Sequence, residues 1–257
     1  GTIIDRALWD YRRNLVPLLI LSAVLVPLGN LSAFAFGFLN NFASFYILSL
    51  TFGFDDNGLI NAYYAFTLLV NVFCGIGIGK TLLTAGVAHA MSTRTPGEPI
   101  NLGDVLPRQR WGGIIGIVLL MIIPNVLLGI LGLLGALVWL FVAITPVVFF
   151  FEERGPFAAL KRGYQIVRPR YSGLLNTLVP LWFIGWLVIG VPFYGSLGLI
   201  IWLVPSPAIT LSVSLALLGW IFGSIFVNPL VSMGMLHYYL FVREREREAD
   251  TQTPAAT

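Results

Sequence analysis

The chain has 257 residues, of which 57% are hydrophobic and 11% are charged, and its formal net charge is +3. Soluble globular domains carry about 25% charged residues, so this composition excludes an ordinary soluble protein, a disordered chain and a coiled coil. The sequence predicts an all-α integral membrane protein. Its single cysteine, Cys74, lies in an apolar run, so neither an internal disulfide framework nor a cysteine-based metal site is expected.

Uncharged stretches of about 20 residues predict six transmembrane helices, arranged as three hairpins. The predicted spans are about 15–37, 59–80, 112–131, 133–151, 171–191 and 208–230. Gly129, Gly132 and Gly135 offer a tight turn within the second hairpin. The second and sixth helices are expected to extend beyond the bilayer on the cytoplasmic side. Residues 1–248 are expected to form one domain, followed by a disordered tail at 249–257.

The basic residues are divided unequally between the two sides of the predicted membrane. The leader, the second loop, the fourth loop and the tail lie on one side, and they hold 14 of the 15 Lys and Arg residues. The only charged residues in the loops of the other side are Asp55 and Asp56. Because Lys and Arg are enriched in cytoplasmic loops, both termini are predicted to be cytoplasmic.

Lys80, the remaining basic residue, follows the second uncharged stretch. A count of about 20 residues from Leu59 puts Lys80 at the cytoplasmic boundary, where a long amine reaches the headgroups at little cost. We expect this interfacial position. The alternative is a charge inside the membrane, which is by default a functional hypothesis.

Each predicted hairpin follows a short segment that mixes charged and aromatic residues, as a helix in the headgroup region does. Interfacial anchoring explains these segments, and a threefold repeat of interfacial amphipathic helix plus hairpin is the sharper alternative. The residues expected to meet anionic lipid headgroups are Arg12, Arg13, Arg108, Arg110, Trp111, Lys161, Arg162, Arg168 and Arg170. Glu152 and Glu153 form either an ordinary interfacial cluster or a pin that pairs with Arg162 or Arg168.

No constellation typical of an enzyme stands out, such as a nucleophile with a base or a set of metal ligands. We therefore expect a non-catalytic structural or accessory module without a cofactor, metal or nucleic acid, which packs against lipids or other membrane subunits. Small residues predict a helix-packing face at Gly75, Gly79 and Gly86.

Two other functions stay open. The first is a carrier or permease component for a lipid or amphiphile, with a polar path formed by Asn71, Asn125, Asn176 and Asn228. The second is a haem- or chlorophyll-bearing subunit of an electron-transfer or light-harvesting complex. Its ligands would be the only two histidines, His89 and His237.

Three segments carry a family resemblance: 97–106, with the sequence GEPINLGDVL; 146–162, with Glu153 and the pair Gly155-Pro156; and 237–245, with a pair of tyrosines before a basic stretch. They resemble the integral-membrane domain that accompanies glycerophosphodiester phosphodiesterases. The resemblance implies a six-helix module of a bacterial or archaeal cytoplasmic membrane. It implies no catalytic residue, because the phosphodiesterase activity of such proteins belongs to a separate barrel.

Overall fold

The computed structural model describes residues 2–29, 31, 77–93, 98–104, 111–131, 133–185, 187 and 209–252. These residues form helices and turns without a strand, which confirms the predicted all-α class. Most of the second predicted span and the segment 188–208 lie outside them. The helices are α1 (Ile3–Arg13), α2 (Leu15–Gly29), α3 (77–93), α4 (Trp111–Leu131), α5 (Leu133–Val142), α6 (Thr145–Phe151), α7 (Pro156–Val167), α8 (Tyr171–Gly185) and α9 (Ile209–Gln252).

The first helix is amphipathic and lies across the second at an angle of 84°. A capping box starts α1: the Thr2 hydroxyl accepts from the Asp5 amide, and the Asp5 carboxylate accepts from the Thr2 amide. Asn14 forms the corner between the helices, because its amide group donates to the Asp10 carbonyl at 2.8 Å and accepts from the Ile100 amide at 2.9 Å. The leader is thus a separate helix, as predicted for an interfacial segment.

Helices α2 and α3 approach each other closely at Gly79. A Cβ atom at this position would lie 2.8 Å from the Leu25 carbonyl oxygen and 2.9 Å from the Val26 Cα. Both neighbours are backbone atoms, so only glycine permits this approach. Gly79 therefore packs α3 closely against α2, Gly86 is buried, and Gly75 lies outside the described residues.

The segment 112–151 forms a hairpin with a break in its second arm. Gly113, near the start of α4, lies against the Phe149 ring of α6, as an antiparallel arrangement requires. The arm predicted as one helix over 133–151 is interrupted by a turn at Ala143 and Ile144. Pro146 explains the interruption, because proline cannot donate to the helix ladder and its ring collides with the preceding turn.

The last helix is the longest of the described elements, with 44 residues and a length of about 66 Å. It packs against α1, α6 and α8, and its buried side chains include Leu236, Tyr238 and Tyr239. Its length agrees with an extended sixth segment, whose reach beyond a membrane stays a prediction. It also continues to Gln252, beyond the predicted start of the disordered tail at 249, because no proline or glycine stands between Glu248 and Pro254.

One helix among the described residues, Gly223–Ala249, is long and apolar enough to cross a membrane. The bent pair α1 and α2 adds a second if it is counted as one span. The apolar helices Trp111–Asn125 and Val138–Phe151 are shorter than a full span. The six-span architecture is therefore not established by these helices.

The middle interfacial segment differs from the other two. Its described part is a short 3-10 turn, Leu102–Asp104, whereas the first and third segments form α1 and α7. Residues 105–110, with Arg108 and Arg110, lie outside the described residues. Among the described residues, helices form in the first and third segments only, so the threefold repeat stays a prediction.

Candidate functional site

A group of charged side chains gathers where α6 ends, between α7 and α9. The Glu152 carboxylate accepts hydrogen bonds from Arg154 Nε at 2.6 Å, from Arg162 Nε at 3.2 Å and from the Tyr239 hydroxyl at 3.2 Å. Arg162 donates in addition to Glu246 on α9. We call these five residues the charged cluster. The charged cluster confirms the pairing of Glu152 with Arg162. It connects α7 both to the end of α6 and to α9.

Arg162 is the central cation of the charged cluster, with 27% of its side chain exposed. Burial by itself lowers the pKa of the guanidinium, but the hydrogen bond to Glu152 and the charges of Glu246 and Glu152 outweigh it and raise the pKa. Its planar fork serves two carboxylates on different elements, which a lysine could not do in the same geometry. This differs from the prediction that Arg162 meets lipid headgroups, because its Nε and Nη2 donors are used inside the protein.

Helix α1 is fixed to α9 by a second set of contacts. Asp10 Oδ2 lies 2.8 Å from His237 Nε2, and both side chains are largely buried. The Tyr11 hydroxyl donates to the Phe226 carbonyl at 3.1 Å, and burial raises the pKa of this hydroxyl to about 12. The amphipathic helices α1 and α7 are therefore both attached to α9.

The outward faces of several helices are apolar. On α2, exposed Val16, Ile20, Val24 and Leu28 repeat every fourth residue, and Leu18 on another face is fully buried. Exposed apolar residues recur at the same spacing on α4, and a cluster of them lies on α8; they are Ile115, Leu119, Ile123, Val179, Trp182 and Phe183. We call these three surfaces the apolar stripes. Contiguous apolar surface of this kind marks a face that meets protein or membrane.

Aromatic side chains and cations lie close to the beginnings of the apolar stripes. Trp9 on α1 is 60% exposed, and the Arg13 guanidinium lies 5.1 Å from its ring centroid. Trp111 at the start of α4 and Tyr171 at the start of α8 are also exposed. So are five of the predicted headgroup cations, Arg12, Arg13, Lys161, Arg168 and Arg170. This arrangement of amphipathic rings and cations is typical of the membrane–water interface.

Lys80 lies in a small cavity between α3, α4, α5, α6 and α9, whose lining includes no member of the charged cluster. Its ammonium group is 3.9 Å from the centroid of the Trp139 ring. The cavity has room for about one water molecule, and its polar lining comprises Lys80, Thr81, Thr84 and Asn125. The sequence count places Lys80 at the cytoplasmic boundary, whereas its side chain packs against the middle of the α4–α5 hairpin.

The predicted polar path is not continuous among the described residues. Asn125 is buried and donates to the Met121 carbonyl at 2.6 Å, whereas Asn176 is on the exposed face of α8. Asn228 is buried, and its amide nitrogen has no hydrogen-bond partner in the described part of the chain. Asn71 lies outside that part. The helical periodicity of α8 places Asn176 on the exposed face, and its position within a predicted span does not by itself show which face it occupies.

The two histidines have different neighbours. His237 contacts Asp10 through Nε2, so this nitrogen could bind a metal only after that contact is broken. The His89 ring lies 5.2 Å from the Phe150 ring. In the described ranges no group of three or more His, Cys, Asp and Glu side chains is placed to hold a metal ion.

In comparisons with known proteins, no protein-family model, curated protein or solved structure matches the chain. The resemblance to the phosphodiesterase-associated membrane domain therefore depends on the three sequence segments alone.

Proposed function

We propose that this protein is a non-catalytic accessory module of a bacterial or archaeal cytoplasmic membrane, with six spans and both termini in the cytoplasm. Its amphipathic helices α1 and α7 bind anionic lipid headgroups, and its apolar stripes pack against lipid tails or neighbouring membrane subunits. The observation that carries the proposal is the combination of the apolar stripes with the exposed aromatic residues and cations at their beginnings.

The angle between α1 and α2 supports this arrangement. A helix at 84° to a membrane-crossing helix lies nearly in the membrane plane. In that plane, the exposed Trp9 ring and the Arg12 and Arg13 guanidinium groups reach the headgroup level. The contacts of Asp10 and Tyr11 with α9 hold α1 in this orientation. Helix α7 presents Lys161 and the following Arg168 in the same way.

The distribution of charge also supports lipid binding. The carboxylates of the charged cluster neutralise Arg162 and Arg154, whereas Lys161, Arg168 and Arg170 are exposed. A cation near an anionic membrane surface contributes about 1 kcal/mol, so these three together set an upper limit of about 3 kcal/mol.

The test is lipid selection by the purified chain. Nanodiscs contain equal amounts of phosphatidylglycerol and phosphatidylcholine, and native mass spectrometry counts the lipids that stay bound. We expect the wild type to retain phosphatidylglycerol in preference. The triple variant Lys161→Gln, Arg168→Gln and Arg170→Gln is expected to lower the ratio of the two lipids at least fivefold. Equal retention by the wild type, or an unchanged ratio in the variant, would contradict the proposal.

The same experiment on protein extracted gently from its own membrane separates the two kinds of neighbour. A stoichiometric protein partner would make the chain a subunit of a complex, with the apolar stripes as its contact surfaces. If only lipid stays bound, the apolar stripes contact the lipid tails of the bilayer.

A further inference from the structure

The position of Lys80 along its neighbours shows how far it is from the ends of the helices. Lys80 precedes the described end of α3, at residue 93, by 13 residues, or about 20 Å of helix. Its cavity neighbour Met121 follows the start of α4 by 10 residues, or about 15 Å. The first distance is about two thirds, and the second about half, of a 30 Å hydrocarbon core. In the proposed membrane arrangement, the Lys80 ammonium is therefore near the middle of the bilayer.

A cation at this depth needs a partner. Within the described ranges Lys80 makes no salt bridge, and its ammonium contacts only the face of the Trp139 ring. A cation–π contact contributes about 0.5–2 kcal/mol, which is less than the several kcal/mol that burying an ion costs. An anion bound beside the ammonium would supply the missing interaction.

The lining of the cavity favours an anion. Lys80 offers ammonium protons, Asn125 has a second amide proton besides the one that it donates to Met121, and Thr81 adds a hydroxyl. Thr84 is already occupied, because its hydroxyl bonds to the Lys80 carbonyl and to Ser232. The described residues around the cavity thus present donors and no carboxylate.

The remaining walls and the small size limit what the anion can be. Met121, Ala143, Pro146 and Met235 form the apolar part of the lining, and the cavity has space for about one water molecule. A bulky phosphodiester headgroup exceeds this space. The cavity is partly open, so one carboxylate oxygen can occupy the position of the water molecule while the rest of the ligand lies outside the cavity. An anion that reaches this depth through lipid also needs an apolar part of its own.

We propose that the Lys80 cavity binds the carboxylate of a single-chain amphiphile, such as a fatty acid. Lys80 supplies the charge, Asn125 and Thr81 donate hydrogen bonds to the carboxylate oxygens, and Trp139 holds the ammonium from the other side. The alkyl chain extends from the cavity along the apolar surface. This site goes beyond the proposed headgroup binding and uses none of its residues.

The test exploits the fact that the chain has only two lysines, Lys80 and Lys161. The full chain is placed in nanodiscs of phosphatidylcholine, and native mass spectrometry follows the binding of laurate. We expect one laurate per wild-type chain and at least tenfold weaker binding in Lys80→Met. Methionine fits the apolar lining, so this variant is expected to fold, which its circular dichroism spectrum and melting temperature verify. Lys80→Arg, which keeps the charge, is expected to bind more tightly than Lys80→Met.

Lys161→Met is the matched substitution on the exposed face of α7. It is expected to weaken phosphatidylglycerol selection and to leave the stoichiometric laurate site in place, so the two proposals fail separately. Dodecanol has the alkyl chain of laurate without its negative charge, and acetate has the carboxylate without the long chain. Their binding to the wild type shows whether the site requires the charge and the chain. The proposal is overturned if Lys80→Met binds laurate as the wild type does, or if Lys80→Met and Lys161→Met lose laurate binding equally. It is also overturned if dodecanol binds to the wild type as tightly as laurate does. Acetate binding as tight as that of laurate would overturn it too, because it would indicate a small-anion site.

Discussion

Glu152 connects three parts of the protein, and its neutralisation gives the sharpest test of the charged cluster. The substitution Glu152→Gln keeps the shape of the side chain and removes its charge. A hydrogen bond to a charged group contributes about 1.5–3 kcal/mol, and one between neutral groups about 1 kcal/mol. Glu152 is only 14% exposed, so its bond from Arg162 is expected to lose about 1 kcal/mol. Arg154 is 48% exposed, so solvent screening reduces its share to a few tenths of a kcal/mol.

The remaining effect comes from the Tyr239 hydroxyl and from Arg154. The Tyr239 hydroxyl donates to the same oxygen as Arg162, so its bond also changes from a charge-assisted to a neutral one. With that oxygen kept, the amide NH2 group of Gln faces Arg154, which loses its acceptor. The total is about 2 kcal/mol, which for a chain of this size corresponds to a decrease in melting temperature of about 4–8 °C. The assay is thermal unfolding of the full chain in dodecyl maltoside, followed by circular dichroism.

Glu153→Gln is the matched control, because Glu153 is adjacent and exposed and makes no contact with the charged cluster. It is expected to change the free energy of unfolding by less than about 0.5 kcal/mol. The expected decrease of a few degrees per kcal/mol is large enough to distinguish the two variants. If the melting temperature of Glu152→Gln is within about 1 °C of that of the control, the charged cluster does not hold α7 to α9 and our reasoning is wrong.

Three further substitutions test local features by the same melting assay. Glu153 has a φ of 51°, so Glu153→Gly is expected to stabilise the protein by about 1 kcal/mol; a decrease in melting temperature would contradict this strain. Gly79→Ala is expected to destabilise by about 1–2 kcal/mol through its contact with the α2 backbone, whereas Gly112→Ala, with nothing within 4 Å, is expected to be neutral or stabilising. Equal effects of the two alanines would refute the close packing. Tyr11→Phe is expected to cost about 1 kcal/mol through the lost bond to the Phe226 carbonyl, and an unchanged melting temperature would show that α1 is held by other contacts.

Local features of the fold could be predicted from the sequence. The mixture of charged and aromatic residues in 7–13 and 159–171 indicated the amphipathic helices α1 and α7. The three glycines between the arms indicated the hairpin, and the proximity of Glu152 and Arg162 in the sequence suggested their pairing. All of these depend on residues close along the chain. The break at Pro146 was missed because the uncharged run around it continues without interruption.

Features that depend on distant residues could not be predicted. Asp10 and His237 are separated by 227 positions and meet only because α1 folds back over α9. Lys80 was assigned to the interface by counting from Leu59, but the depth of a residue depends on which level of the neighbouring helices it packs against. Asn176 is polar and within a predicted span, yet its position around α8 turns it outward.

The central claim, that the apolar stripes face lipid, is tested most directly by spin-label accessibility. The native cysteine is first removed as Cys74→Ser, and a nitroxide is attached to Cys in the single variants Val24→Cys, Leu119→Cys and Val179→Cys, with Arg12→Cys as the interfacial reference. In nanodiscs, the account predicts that the three stripe positions are relaxed strongly by oxygen and weakly by a water-soluble nickel chelate, and that position 12 is accessible to the chelate. High chelate accessibility at the stripe positions would show that they face water and would contradict the account.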